Sequence, residues 1–444
     1  MDEQDTNLGY DQNVRYMDQT MERNPGLVEF AAELHQRNEI PVNTYVLDLD
    51  AHRNNAKAMK LAADRNDVKL YYMSKQTARN PLIAQAVVNA GFEGLVTVEP
   101  QELSTLVRYG IKIGHVGHLA NVPVNEIDYV LKIAKPEVIT VFNLEKARMI
   151  SQRAARLGMV QKLLVRPTSP DDTLYPYMEG GIPEEQAVAE IKQINELPGL
   201  KVVGLTSFPC MLLDLTTMEP VFMHNIETLI KVRDEARRNG VEITQVNTPP
   251  VCTSKTIPVY ASKGSTHLEP GLGVSGMNPF QIYDRGQHPE IPAGVYVTEV
   301  SHFFGEYAMV YAGGFGYIEM FELARNGKSY VPDVEKMRLK AYVGSNPQDL
   351  MKNPVEAEHY RGLIDYHARL YKDTATRPLN VGDTAVYGFR AQMFVTRSQI
   401  AVVSGISENK PKLVGLFDHA NNLIDRHSHL LGEEKTLELM KAYA

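Results

Sequence analysis

Short apolar runs and amphipathic stretches alternate along the first two-thirds of the chain. The apolar runs are Val68 to Lys75, Gly94 to Glu99, Lys112 to His118, Glu137 to Asn143, Val160 to Thr168, Leu200 to Phe208, Glu242 to Thr248 and Ser265 to Glu269. Between them, Pro81 to Gly91, Leu144 to Gly158, Pro183 to Leu197 and Met218 to Gly240 carry the spacing of helices, several closed by glycine. Eight such β/α units in about 200 residues predict an α/β fold, a TIM (β/α)8 barrel rather than an open doubly wound sheet. No glycine-rich dinucleotide fingerprint follows the first strand.

After Gly276 the pattern shifts to strands with few helices between them: Val295 to Ser301, Tyr307 to Ala312, Leu339 to Gly344, Asp383 to Phe389, Met393 to Arg397 and Gln399 to Ser404. The predicted organisation is an N-terminal arm and helix over residues 1–40, a barrel domain over 41–290 and a C-terminal β-rich domain over 291–444. Within these, Met1 to Asn24 reads as a poorly ordered or partner-bound arm, Leu27 to Arg37 as a short helix, and Asn353 to Arg377 as a polar helical insertion or linker. The strand-like segment Thr44 to Asp50 fits either unit.

Function in a TIM barrel sits where the strands end. Here the ends present Lys75, Glu99, His118, Asn143, Arg166, Ser207, Asn247 with Thr248, and Glu269. Lys75 closes an apolar strand, and desolvation there disfavours the ammonium form, which is how a lysine becomes an imine-forming nucleophile. After the last strand, Glu269-Pro270-Gly271-Leu272-Gly273-Val274-Ser275-Gly276 is a loop whose backbone N–H groups can approach an anion, at the usual phosphate site of this fold. Thr248 adds a hydroxyl beside it. A lysine on strand one, a phosphate cradle at strands seven and eight and a carboxylate just before the cradle are three partners that pyridoxal 5′-phosphate can use, as imine partner, phosphate anchor and partner of the pyridine nitrogen.

Charge and composition narrow the partners. With 46 basic and 54 acidic residues the net charge is −8, and the basic residues are dispersed, which argues against nucleic acid or anionic membrane as a partner. No run approaches the ~18 apolar residues of a membrane span and no signal peptide is visible, so a cytoplasmic protein acting on a small molecule is expected. The two cysteines, Cys210 and Cys252, are expected as free thiols.

The segments Tyr72-Met73-Ser74-Lys75-Gln76, Arg79-Asn80-Pro81, Gly117-His118-Leu119, Gly204-Leu205-Thr206-Ser207-Phe208-Pro209-Cys210 and Phe394-Val395-Thr396-Arg397-Ser398 resemble the YhfX group of fold-type III PLP enzymes. That group is related to alanine racemase and to the ornithine and diaminopimelate decarboxylases. The resemblance implies an internal aldimine on Lys75, amino-acid substrates and a head-to-tail homodimer. Glu269-Pro270-Gly271 stands where alanine racemase has Arg-Pro-Gly, as in the decarboxylases, and Ser207 stands where both relatives have a ring-stacking histidine. His118 is the candidate to cover that face, with Asn247, Gly271 and Leu272 completing the cofactor site. The decarboxylase Cys-Asp motif is absent; Tyr317, in Gly313-Gly314-Phe315-Gly316-Tyr317, is an imperfect match to the racemase tyrosine.

The expectation is therefore a PLP-dependent amino-acid racemase or epimerase, with Lys75 and either Tyr317 or Cys210 as proton carriers. Arg166 and Tyr175 are the substrate candidates, Arg166 for a carboxylate or alternatively in a surface ion pair. Rival readings are a decarboxylase or D-amino-acid lyase, which Glu269 favours, a non-catalytic PLP carrier, and a cofactor-free lysine aldolase. Asp418-His419 and Asp425-Arg426-His427-Ser428-His429 read as solvated surface, and no metal is expected.

Overall fold

The computed structural model describes residues 16–214, 216–284, 287–313, 323–325, 328–330, 338–358, 366–390, 393 and 396–444. Its centre is a closed barrel of eight parallel strands: β2 (Lys69–Met73), β3 (Gly94–Thr97), β4 (Ile113–Val116), β5 (Val138–Val141), β6 (Gln161–Val165), β7 (Leu200–Thr206), β8 (Gln245–Asn247) and β9 (His267–Leu268). All eight predicted strands are present, each a little shorter than its apolar run, because the polar residue at the run's end already belongs to the rim.

The second unit is a ten-stranded sheet in the order 307–311, 367–371, 354–358, 338–344, 384–388, 294–304, 44–48, 399–404, 412–417, 423–424. Strand β1 (Thr44–Asp48) lies inside this sheet, antiparallel to Gly294–Phe304 and parallel to Gln399–Ser404, so the chain begins in the sheet before it builds the barrel.

Four expectations need correction. Residues 354–358 and 367–371 are strands, not a helical insertion; Val355, Ala357, Ala368 and Leu370 alternate inward with period two. Met218 does not start a helix: Met211–Asp214 pairs with Pro220–Phe222 as a hairpin, the Asp214 carboxylate taking the N–H groups of Thr216 and Thr217, and the helix runs Asn225–Arg238. Met393 to Arg397 is not a strand where described; 394 and 395 lie outside the described residues. The arm is helical over Tyr16–Arg23 with Tyr16, Met17 and Thr20 buried, while residues 1–15 lie outside the described residues.

The helix Pro25–Gln36 lays Leu27, Val28, Ala31 and Leu34 on Val46, Val295, Val297, Val386 and Val403 of the sheet. Each fully buried aliphatic side chain of that size stabilises the fold by roughly 1.5–3 kcal/mol, so this N-terminal helix is part of the folded body.

Candidate active site

Two of the polar strand-end residues turn out to be local caps. Glu99 accepts from the N–H groups of Gln101 at 2.8 Å and Glu102 at 2.6 Å, and Asn143 accepts from Lys146 at 2.8 Å, so each starts the helix that follows its strand.

Lys75 sits in a turn of 3-10 helix, Ser74–Thr77, directly after β2. Ala78 and Arg79 then both take left-handed backbone, at φ +53° and +52°. Such conformations cost a non-glycine residue of order 1–3 kcal/mol and persist only where neighbours impose them. The neighbours are visible: Asn421, from the second unit, donates to the Ala78 carbonyl at 2.6 Å, and the Ser74 hydroxyl donates to buried Glu102 at 3.0 Å. The glycine loop is closed onto the same turn, with Met73 N–H on the Pro270 carbonyl at 3.0 Å. A Cβ on Gly271 would stand 2.3 Å from Gln76 Oε1 and 3.0 Å from the Met73 carbonyl oxygen, so any larger residue would have to push the Gln76 side chain away. Asn421→Ala strips a buried carbonyl of its donor, a loss of roughly 1–3 kcal/mol; we expect a lower Tm by calorimetry and faster proteolysis at the Lys75 turn.

Glu269 follows β9, and its side chain is completely buried. Its Oε1 accepts from His115 Nδ1 at 2.5 Å and from Asn247 Nδ2 at 2.8 Å. Its Oε2 has no hydrogen bond and faces His118 Nε2, equally without one, at 3.5 Å. Gly117, at φ +87°, lets the chain leave β4 and turn His118 into the mouth. Both imidazoles are oriented from behind by threonine hydroxyls: His115 Nε2 by Thr140 at 2.6 Å and His118 Nδ1 by Thr206 at 3.2 Å. Asn247 is set by Gln245, which also contacts the Tyr71 hydroxyl.

Burial raises the Glu269 carboxyl, but the charges of His118 and His115 and the hydrogen bonds from His115 and Asn247 outweigh it and hold the group down at about 2. Burial pushes His118 to about 3, so it is neutral at neutral pH and the support for the carboxylate there comes from the two groups that bond it. Lys75 and Arg166 both lie within electrostatic reach of His118.

Arg166 directly follows β6 and is 1% exposed, which rules out the surface ion pair. Its guanidinium stacks over Phe142 at 5.1 Å, and Nη2 donates weakly to the Phe208 carbonyl at 3.5 Å. Nε and Nη1 have no hydrogen-bond partner. Asp172, the nearby carboxylate, is engaged by His224, Thr228 and the Ser169 N–H. A buried cation with open donors is a site for an anion.

The remaining candidates divide. Tyr175 is buried and stands edge-on to Phe208 at 5.3 Å. Ser207 is fixed by Asn225 at 3.1 Å. The Thr248 hydroxyl donates to Ser265 at 2.6 Å, and Leu272 packs into the core. Cys210 is not a poised thiolate: burial pushes its thiol well above the ordinary value, and it donates to the Ser207 carbonyl. Tyr317 lies outside the described residues.

Among the described residues one group offers three metal-ligand atoms within 4.8 Å, namely His115, His118 and Glu269. The His115 nitrogen and a Glu269 oxygen already close on each other as a hydrogen bond, so the group reads as a proton-bearing cluster. His115 and Asn421 were missed from the sequence. A histidine inside an apolar strand carries no local signal, although its inward position follows from the alternation once β4 is set.

Residues 47–279 match the family of the alanine racemase N-terminal domain and residues 295–413 the YhfX-like C-terminal domain. A curated protein of Escherichia coli (strain K12), described as uncharacterized protein YhfX, is 32% identical over 406 residues, covering 90% of this chain and 97% of that protein. Among solved structures, alanine racemase of Clostridium difficile 630 in complex with cycloserine superposes with a TM-score of 0.60 at 18% identity, over 86% of this chain and 99% of that one. D-threonine aldolase from Filomicrobium marinum gives 0.62 at 17%, over 87% and 95%. D-threo-3-hydroxyaspartate dehydratase from Delftia sp. HT23 gives 0.57 at 13%, over 85% and 97%. No helix among the described residues is long and apolar enough to cross a membrane.

Proposed function

Because this chain belongs to the YhfX-like family, with an alanine racemase N-terminal domain joined to a YhfX-like C-terminal domain, we propose that it is a pyridoxal 5′-phosphate-dependent amino-acid racemase or epimerase. The observation that carries the reading is the second oxygen of Glu269. A fully buried carboxylate whose two donors share Oε1, leaving Oε2 without a hydrogen bond, calls for one more N–H. A protonated pyridine nitrogen is such a donor, and the residues present fit the cofactor.

Lys75 would hold its carbonyl carbon. The Glu269–Gly276 loop, through Gly271 and Leu272, would take the phosphate with Thr248 beside it; His118, Ser207 and Asn247 would line the ring. Bound there, the cofactor supplies an electron sink for the pair left on Cα when the α-proton departs. The freed Lys75 Nζ takes that proton on one face and can return it. Glu269 Oε2 keeps a proton on the ring nitrogen, Arg166 holds the substrate carboxylate, and the Tyr175–Phe208 pair walls the site from water. Tyr317 is the proposed carrier for the opposite face. A head-to-tail homodimer belongs to the same proposal and is supported by the exposed aromatic side chains Phe303, Phe304, Tyr311 and Tyr366 on the sheet unit.

A lyase is the second reading, favoured by the carboxylate at position 269 and by the likeness in fold to an aldolase and a dehydratase. A non-catalytic carrier has no use for a buried arginine with open donors. Proton NMR of the PLP-loaded protein with L- and D-amino acids in D2O, followed by chiral chromatography, separates these. Loss of the α-proton signal with both enantiomers appearing supports racemisation; a deuterated amine, an aldehyde or a keto acid moves the assignment to a lyase; silence across a broad panel contradicts both.

Arg166→Ala is expected to raise KM for the amino acid about 10- to 100-fold, since a charge-assisted hydrogen bond contributes roughly 1.5–3 kcal/mol. The effect on kcat should be smaller, and steady-state kinetics in both directions checks it.

A further inference from the structure

Behind Glu269 stands a chain of two groups outside the set proposed to hold the cofactor and substrate. Thr140, on β5 and fully buried, meets His115 Nε2 at 2.6 Å, and His115 Nδ1 meets Glu269 Oε1 at 2.5 Å. A carboxylate can only accept, so an ionised Glu269 requires the proton on Nδ1. The Thr140 hydroxyl, which can give or take a hydrogen bond, meets Nε2 and holds the ring in that orientation. Thr140 and His115 therefore fix the ring so that Nδ1 faces Glu269 Oε1.

We propose that His115, oriented by Thr140, is a positioning residue that keeps Glu269 ionised and turns its second oxygen toward the cofactor's ring nitrogen. The inference rests on the assignment of Glu269 as the ring partner. Without His115, Asn247 is the remaining donor to Oε1, and burial would drive the carboxyl toward its neutral form. A neutral acid at that place donates to the ring nitrogen instead of accepting from it, which reverses the polarity of the contact and weakens the electron sink.

The other groups facing Glu269 do not replace His115. Burial keeps His118 and His267 neutral, each pushed down to about 3. Burial likewise pushes the Tyr71 hydroxyl and the thiols of Cys210 and Cys252 upward, so all three stay protonated and add no cation. The charges of Lys75 and Arg166 reach His118 and Glu102 or Cys210 rather than supplying a hydrogen bond to Oε1.

The test begins with the cofactor-free protein, labelled with carboxyl-13C glutamate and with Glu269 assigned by E269Q. In the wild type the Glu269 signal should stay that of the ionised form down to acid pH. In His115→Leu it should titrate at least two pH units higher, and in His115→Asn, which keeps an amide N–H near the Nδ1 position, within one unit of wild type. If His115→Leu does not fold, Thr140→Val, a hydroxyl-to-methyl exchange of the same size, must move the titration in the same direction. An unmoved Glu269 signal in the folded variant overturns the inference.

The second readout is the 15N shift of pyridine-15N-labelled PLP bound to each variant. A protonated ring nitrogen in wild type that becomes unprotonated in His115→Leu supports the inference, and a nitrogen protonated in both overturns it. Failure of the wild type to bind the cofactor at all overturns the assignment of Glu269 as ring partner, and with it the cofactor part of the inference. The carboxyl titration still decides whether His115 sets the charge of Glu269.

Discussion

Alanine in place of Lys75 is expected to lower turnover by at least about 10⁴-fold, since base catalysis alone contributes roughly 10²–10⁴ and the same amine is proposed to hold the cofactor. The fold should survive the change. Lys75 is only partly buried, and the turn that carries it is held through backbone and neighbouring groups: Asn421 on Ala78, Ser74 on Glu102 and Met73 on Pro270. Tm should therefore move little while activity disappears. A small primary amine added to the variant should restore part of the rate, because the empty space at the strand end admits it and the remaining groups are in place. Normal turnover in Lys75→Ala would remove the basis of the assignment.

Glu269→Gln is expected to lower kcat about 10²–10³-fold, the usual consequence of losing one preorganised electrostatic partner in a water-excluded site. KM should change less, because in the proposed site Glu269 serves the ring nitrogen and Arg166 the substrate carboxylate. The same substitution has a signature in the stability of the cofactor-free protein. The folded-state carboxyl is held at about 2, below its ordinary 4.5, so ionised Glu269 contributes stability that is fully present above about 4.5 and is lost as pH falls toward 2. Glutamine cannot titrate. Urea unfolding between pH 2 and pH 5 should show a shallower loss of stability with acid in Glu269→Gln than in wild type, and parallel curves would contradict an ionised buried carboxylate.

The barrel was legible because each strand is a compact apolar run between helices, and period and spacing sufficed to place all eight. Lys75, Glu269 and Arg166 were legible because they interrupt apolar runs at the rim. Residues 354–358 and 367–371 read as helical because their charged residues mask a two-residue alternation, in which Val355, Ala357, Ala368 and Leu370 face inward. The hairpin at 211–222 was hidden in the same way, by the helix that follows it. His115 was lost for a different reason. Its meaning lies in Thr140 and Glu269, which are 25 and 154 residues away in sequence, and such contacts exist only once the cylinder closes. Asn421 acts across 343 residues on the carbonyl of Ala78, and no local pattern marks it. Cys210 reads as chemically available because it lies just past a strand end, yet it is fully buried and burial raises its thiol well above the ordinary value.

The central claim is that Lys75 is the residue to which the cofactor is joined. The direct measurement is reduction of the PLP-loaded protein with borohydride, followed by proteolysis and mass-spectrometric mapping. The account predicts one phosphopyridoxyl group per chain, on Lys75, and none when Lys75 is alanine. Labelling at another lysine, or none on the wild type, would contradict it.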